Sequence, residues 1–172
     1  RQAAQWDDDK PKTMSLRTGG QHRGRYFGSI PDAVRSAASS GLPLLLVEGS
    51  ADYIGAVAAL GLPTIGTPGC NGLPHAAEAI ARHVTEAQVR GRVRVVVVPH
   101  IDTPRRGAEH GAGMAAALQA ASALASHVPV HLATLPLQQG DVADFLRIEG
   151  AEALRALVQA APLWGAPPPH ID

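Results

Sequence analysis

Cysteine is nearly absent: Cys70 stands alone in 172 residues. That excludes an internal disulfide framework and a cysteine-built zinc cluster, and it fits a reducing, cytoplasmic setting. Net charge is missing too. Fifteen basic and fifteen acidic residues cancel, so no global field argues for a nucleic-acid partner and every electrostatic argument has to be local. The apolar runs fall far short of the roughly 20 residues a membrane span needs, and no signal-peptide pattern opens the sequence, so no membrane partner is expected. No HExxH spacing links the histidines, which removes that common zinc-helix motif. There is no internal repeat, and the only biased segment is the terminal "APPPHID". Starting at Arg1 and ending in that proline-rich tail, the sequence is expected to be a piece of a longer polypeptide.

The chain does carry enough apolar residues, 45% of the total, for one full core. Residues 1 to about 30 are polar and glycine-rich and read as an extended or hairpin-like arm. From Lys10 to Arg25 this arm holds five Lys or Arg and no acid. "PDAVRSAASSG" reads as a short helix with Pro31 in its first turn and Gly41 as its stop. Four strands are then predicted: "LPLLLVE" (42–48), "PTIGTPG" (63–69), "RVRVVVVP" (92–99) and "VPVHLATLP" (128–136). The first and third are nearly continuous apolar runs suited to burial on both faces. Alanine-rich stretches of helical length lie between them, and a last helix, "DVADFLRIEGAEALRALVQAA", has a break point at Gly150. Strand alternating with helix predicts an α/β fold, a four-stranded parallel sheet flanked by helices. The domain plan is a basic arm and short helix over 1–41, the α/β domain over 42–161 and a tail over 162–172.

In such a sheet the functional crevice lies beyond the carboxyl ends of the strands. Glu48 ends the first strand, His100 and Asp102 follow the third, and Asp141 and Asp144 follow the fourth. Asp52 lies in the first turn of the helix after Glu48. Carboxylates gathered in one place repel and desolvate one another, and a divalent cation with oxygen ligands, Mg2+ or Mn2+, is the usual compensation. Each acid also has a purely structural reading. Asp52 can complement a helix N-terminus, and Asp141 with Asp144 can cap the last helix. Asp102 can make an Asx turn before Thr103-Pro104. Glutamate at the end of a buried strand is the hardest of these to explain by packing. His100 reads as a metal ligand, a general base or a hydrogen-bonded strand-end residue, the last being the commonest case for a histidine taken alone. "GTPGCNG" has backbone amides that suit a phosphate, but it lacks a Walker lysine, and Cys70 within it reads as a small packing residue.

The order of these pieces resembles the Toprim domain of bacterial and phage DNA primases. "VEGSADYIGAVAALGLPTIGTPGCNG" is similar to that family's glutamate-glycine-x-x-aspartate motif and its following strand and loop. "VVVVPHIDTPRRGAEHGAGMAAAL" resembles the second motif, Asp-x-Asp followed by glycine and an alanine-rich helix. "LPLQQGDVADFLRIEGAEAL" resembles the segment in which two aspartates precede a short helix. The resemblance runs from about 42 to 160. It implies a Toprim fold and metal-dependent nucleotidyl transfer, making RNA primers on single-stranded DNA from nucleoside triphosphates. Glu48, Asp52 and Asp102 would hold Mg2+ or Mn2+, with Asp141 and Asp144 as outer partners and Glu48, Asp102 and His100 as the catalytic group. Lys12, Arg17, Arg23 and Arg25 of the arm, and Arg105 and Arg106 of the "TPRRG" spacer, would contact nucleotide or nucleic acid. Helicase or zinc-binding modules would accompany the domain in a full-length primase of a phage, plasmid or other mobile element. One departure stands out: His100 occupies the position of the family's first Asp. It removes a negative charge and offers nitrogen, which tilts preference from magnesium toward manganese or another transition metal. A Toprim nuclease and a degenerate, purely binding Toprim are the alternative expectations.

Overall fold

The computed structural model describes residues 26–165. Nine principal elements follow in the order α1 (Ile30–Ser40), β1 (Leu44–Glu48), α2 (Ser50–Leu60), β2 (Thr64–Thr67), α3 (Gly72–Glu86), β3 (Val95–Val98), α4 (Ala112–Leu124), β4 (Val130–Leu132) and α5 (Val142–Ala160), with a 3-10 turn at Arg90–Arg92. The four strands form one all-parallel sheet in the order β2-β1-β3-β4.

The strands are shorter than the apolar runs suggest, and proline is the reason. Pro43, Pro63 and Pro129 precede three of them and cannot donate to a ladder, and Pro99 follows β3. The alanine-rich stretch after β3 becomes helical only at Ala112, because residues 103–111 form a loop with Gly107 at φ 83°. The break at Gly150 is present, with φ 84° and ψ 177° inside α5.

Period-two alternation divides the two central strands between two cores. Leu44, Leu46, Val95 and Val97 pack with α1, α3 and α4, whereas Leu45, Val47, Val96 and Val98 pack with Ala56 of α2 and Phe145, Leu154 and Val158 of α5. Burial on both faces explains why these runs show no polar alternation. Removing one such leucine side chain costs about 2–5 kcal/mol. α1 belongs to this core: Ile30, Ala33, Val34 and Ala37 are buried in it. Its start is fixed by Ser29, whose hydroxyl accepts from Asp32 N–H, and its end by Gly41 at φ 72°.

Both sheet edges are covered. Phe27 pairs antiparallel with Gly66 on the β2 side, and Leu163 with His131 on the β4 side, which removes two free edges as templates for aggregation. Arginines close helix C-termini: Arg92 donates to Ala38 O of α1 (3.0 Å) and Arg155 to Ala59 O of α2 (3.2 Å). No helix among the described residues is long and apolar enough to cross a membrane.

The connections leave the two central strands in opposite directions, β1 to β2 on one side and β3 to β4 on the other. That reversal puts the topological switch point between β1 and β3, where open α/β sheets bind their ligands.

Candidate functional site at the carboxyl edge of the sheet

Glu48 closes β1 at this switch point. Its Oε2 is buried and has no hydrogen-bond partner. Burial pushes the Glu48 carboxyl upward from its ordinary range, and the charges of Asp102 and Asp141 push it the same way; His100 and the backbone N–H of Cys70 pull it down. Four post-strand segments therefore meet around one carboxylate.

Backbone contacts fasten these segments. Gly49 N–H donates to Thr67 O at 2.7 Å, tying the end of β1 to the end of β2. Ile101 and Gly140 exchange two hydrogen bonds of 2.8 Å, tying the loop after β3 to the loop before α5. Asp102 reaches the start of α4 ten residues on: Oδ2 accepts from Ala112 N–H at 2.8 Å and Oδ1 from Gly113 N–H at 3.2 Å. Two glycines leave room for that approach. A Cβ on Gly111 would collide with the Asp102 carboxylate, and one on Gly113 with the His100 carbonyl.

Asp52 is the most buried of the acids, 2% exposed. Its Oδ1 accepts from Ala143 N–H at 3.0 Å, so a residue of α2 caps α5 from 91 positions away. Burial raises its pKa to about 7; the N–H groups of Ala143 and Val142 oppose the shift, and Asp141, which hydrogen-bonds to Asp52, reinforces it. Asp141 caps the same helix, accepting from Asp144 N–H at 2.8 Å. Asp144 is half-exposed and pairs with Arg147 at 3.3 Å.

The geometry thus brings Glu48, His100, Asp102 and Asp141 to one place, with Asp52 behind Asp141. Asp144 faces Arg147, and Arg105 and Arg106 stand exposed on the 103–110 loop. Lys12, Arg17, Arg23 and Arg25 lie outside the described residues. The sequence reading missed Gly111, Gly113 and the Cys70 amide. The first two carry a signal, glycines just before an alanine-rich helix that follows an acid; the third carries none, because any residue has that N–H. The Cys70 thiol itself is pushed upward by burial and by Glu48, which makes it a poor nucleophile.

Among the described residues no three His, Cys, Asp or Glu side chains are arranged to hold a metal ion. Glu48 Oε2 is still a buried carboxylate oxygen without a partner, with an imidazole and further acids around it, and oxygen donors of this kind suit a hard divalent cation.

No protein-family model matches the sequence, and no curated protein matches it. Solved structures do. A DNA primase domain from Pseudomonas aeruginosa is 22% identical with a TM-score of 0.59, over 92% of this chain and 46% of that one. The RNA polymerase domain of Mycobacterium tuberculosis primase DnaG, in complex with a double-stranded DNA oligomer with a 6-nucleotide overhang, is 22% identical with a TM-score of 0.58, over 91% and 47%. The zinc-binding and RNA polymerase domains of Aquifex aeolicus primase give 18% and 0.55, over 92% and 35%. The chain spans less than half the length of these structures. What it shares with them is the four-stranded parallel α/β fold of the Toprim domain carried by DnaG primase catalytic cores.

Proposed function

We propose that the chain is the Toprim portion of a DNA primase, serving metal-dependent nucleotidyl transfer in primer synthesis on single-stranded DNA. The observation that carries this reading is the buried, unpartnered Oε2 of Glu48 at the switch point of a primase-like sheet. Glu48 would hold Mg2+ or Mn2+ with His100 and Asp102, and Asp141 would add negative charge from the outside. When bound, the ion supplies positive charge to triphosphate oxygens and to the attacking hydroxyl. The chain's own residues do the rest: the Cys70 amide helps keep Glu48 ionised, and the α4 N-terminus keeps Asp102 oriented. Arg105 and Arg106, exposed beside the site, would meet phosphates of nucleotide or template. Lys12, Arg17, Arg23 and Arg25 would extend that surface. Zinc-binding or helicase modules would accompany the chain, as a zinc-binding domain accompanies the Aquifex aeolicus primase.

The test is incorporation of labelled ribonucleotides on a single-stranded template by the full-length protein with Mg2+ or Mn2+. Short RNA is expected, and Glu48→Gln abolishes it; synthesis that survives the substitution overturns the reading. Cleavage of labelled DNA with Mn2+ and no nucleotides would identify a nuclease instead. A second reading, a Toprim that binds nucleotide without chemistry, is favoured by the described residues bringing no three His, Cys, Asp or Glu side chains into an arrangement that could hold a metal ion. A chain that binds nucleotide but takes up no Mn2+ would establish it.

A further inference from the structure

Asp52 differs from the other acids in where its hydrogen bonds go. It begins in the first turn of α2, yet it accepts from the second residue of α5, 91 positions along the chain. The two helices are fitted together along that line. Leu146 Cδ1 of α5 would stand 2.9 Å from a Cβ on Gly55, so the Leu146 side chain packs directly over that glycine of α2. Upstream of α5, the Ile101–Gly140 pair holds the other side of the same turn. The residue caught between these fastenings is Asp141, the N-cap of α5 and one of the acids acting on Glu48. With 2% exposure, Asp52 has no free path to a ligand in solvent.

We infer that Asp52 is a positioning residue: its carboxyl oxygen latches the N-terminus of α5 to the β1–α2 turn and so places Asp141 beside Glu48. It does not itself touch the ion. This rests on the metal reading above, and it changes the role that the Toprim resemblance implies for the aspartate of the first motif. Coupling through a hydrogen-bonded neighbour is how outer groups tune a metal centre, and losing one costs about 10–100-fold in affinity.

The chemistry of the latch separates it from a ligand. Asparagine keeps an oxygen for Ala143 N–H and offers an amide N–H to Asp141, whereas alanine offers neither. Mn2+ affinity, followed by electron paramagnetic resonance on the full chain, should be unchanged in Asp52→Asn and reduced about 10–100-fold in Asp52→Ala. If the effect runs through Asp141, Asp52→Ala adds nothing in an Asp141→Asn background, because the two changes share one pathway. A loss in Asp52→Asn as large as in Glu48→Gln makes Asp52 a ligand and overturns the inference, as does full affinity in Asp52→Ala. Amide hydrogen exchange keeps the latch testable apart from the metal reading. If the wild type binds no Mn2+, that reading fails, but Ala143 N–H should still exchange faster in Asp52→Ala and stay protected in Asp52→Asn. Equal protection in all three proteins overturns the latch itself.

Discussion

A buried aspartate with its pKa raised to about 7 has a measurable thermodynamic consequence, and Asp52→Asn exposes it. The ordinary value is 3.8, so the folded state holds a proton over about three pH units in which the unfolded chain has released it. At 1.36 kcal/mol per unit this amounts to about 4 kcal/mol. The sign follows from the direction of the shift. Below about pH 4 both states are protonated and the group contributes nothing. From about pH 4 to pH 7 the unfolded state is the one favoured by ionisation, so stability falls as pH rises, and above pH 7 it levels off at the lower value. Asparagine does not titrate and keeps the acceptor for Ala143 N–H. In urea titrations with EDTA present, the variant should match the wild type near pH 4 and exceed it by about 2–4 kcal/mol at pH 8. In thermal melts that is about 2–4 °C for each kcal/mol. Glu48 also loses stability in this direction as pH rises, but both proteins contain it, so the difference isolates the Asp52–Asp141 pair. A variant less stable than the wild type at pH 8, or a difference that does not change with pH, refutes the reasoning.

Three further outcomes are expected. Glu48→Gln should raise stability at pH 8 while abolishing ribonucleotide incorporation, because the change removes a poorly solvated charge and the proposed metal ligand together; a variant less stable than wild type by urea titration would contradict the burial argument. Gly113→Ala should cost about 1–3 kcal/mol and impair activity, since the new Cβ drives into the His100 carbonyl; unchanged Tm and activity would show that the loop yields freely. His100→Asp adds a negative charge beside Glu48, so calorimetric titration should show tighter Mg2+ binding than in the wild type, and the metal-free protein should be less stable; weaker Mg2+ binding would mean that His100 is itself an essential ligand.

The sheet was legible because its signals are local and redundant. Four apolar runs, each bounded by proline or glycine and separated by alanine-rich stretches, leave few other arrangements. The ends of those runs were less legible. Residues 92–94 look like strand because Val93 alternates with Arg92 and Arg94 ahead of the valine run, but Arg90–Arg92 is a 3-10 turn and Val95 begins the strand. At the site, the strand-end position of Glu48 could be read, whereas the choice between structural and chemical roles for Asp52, Asp102 and Asp141 could not. Each of these acids accepts a helix-terminal N–H, and for Asp52 the donor lies 91 residues away. No local pattern encodes a partner at that distance.

The structural and chemical readings of these acids are therefore not rivals. An N–H from a helix end orients a carboxylate and lowers the cost of its charge while leaving lone pairs on the same oxygens free. Asp102 and Asp141 are held in this way by α4 and α5. Glu48 has the Cys70 amide on one side and an unpartnered oxygen on the other. A fold selected for stability alone would replace such a glutamate with a neutral side chain, since a buried unsatisfied oxygen costs about 1–3 kcal/mol and more when charged. The surrounding acids raise that cost, and the helix ends that orient them do nothing to relieve Glu48. What would relieve it is a proton or a cation reaching it from solvent at the edge where all four post-strand segments meet. That is the physical ground on which the ion proposed for the end of β1 rests.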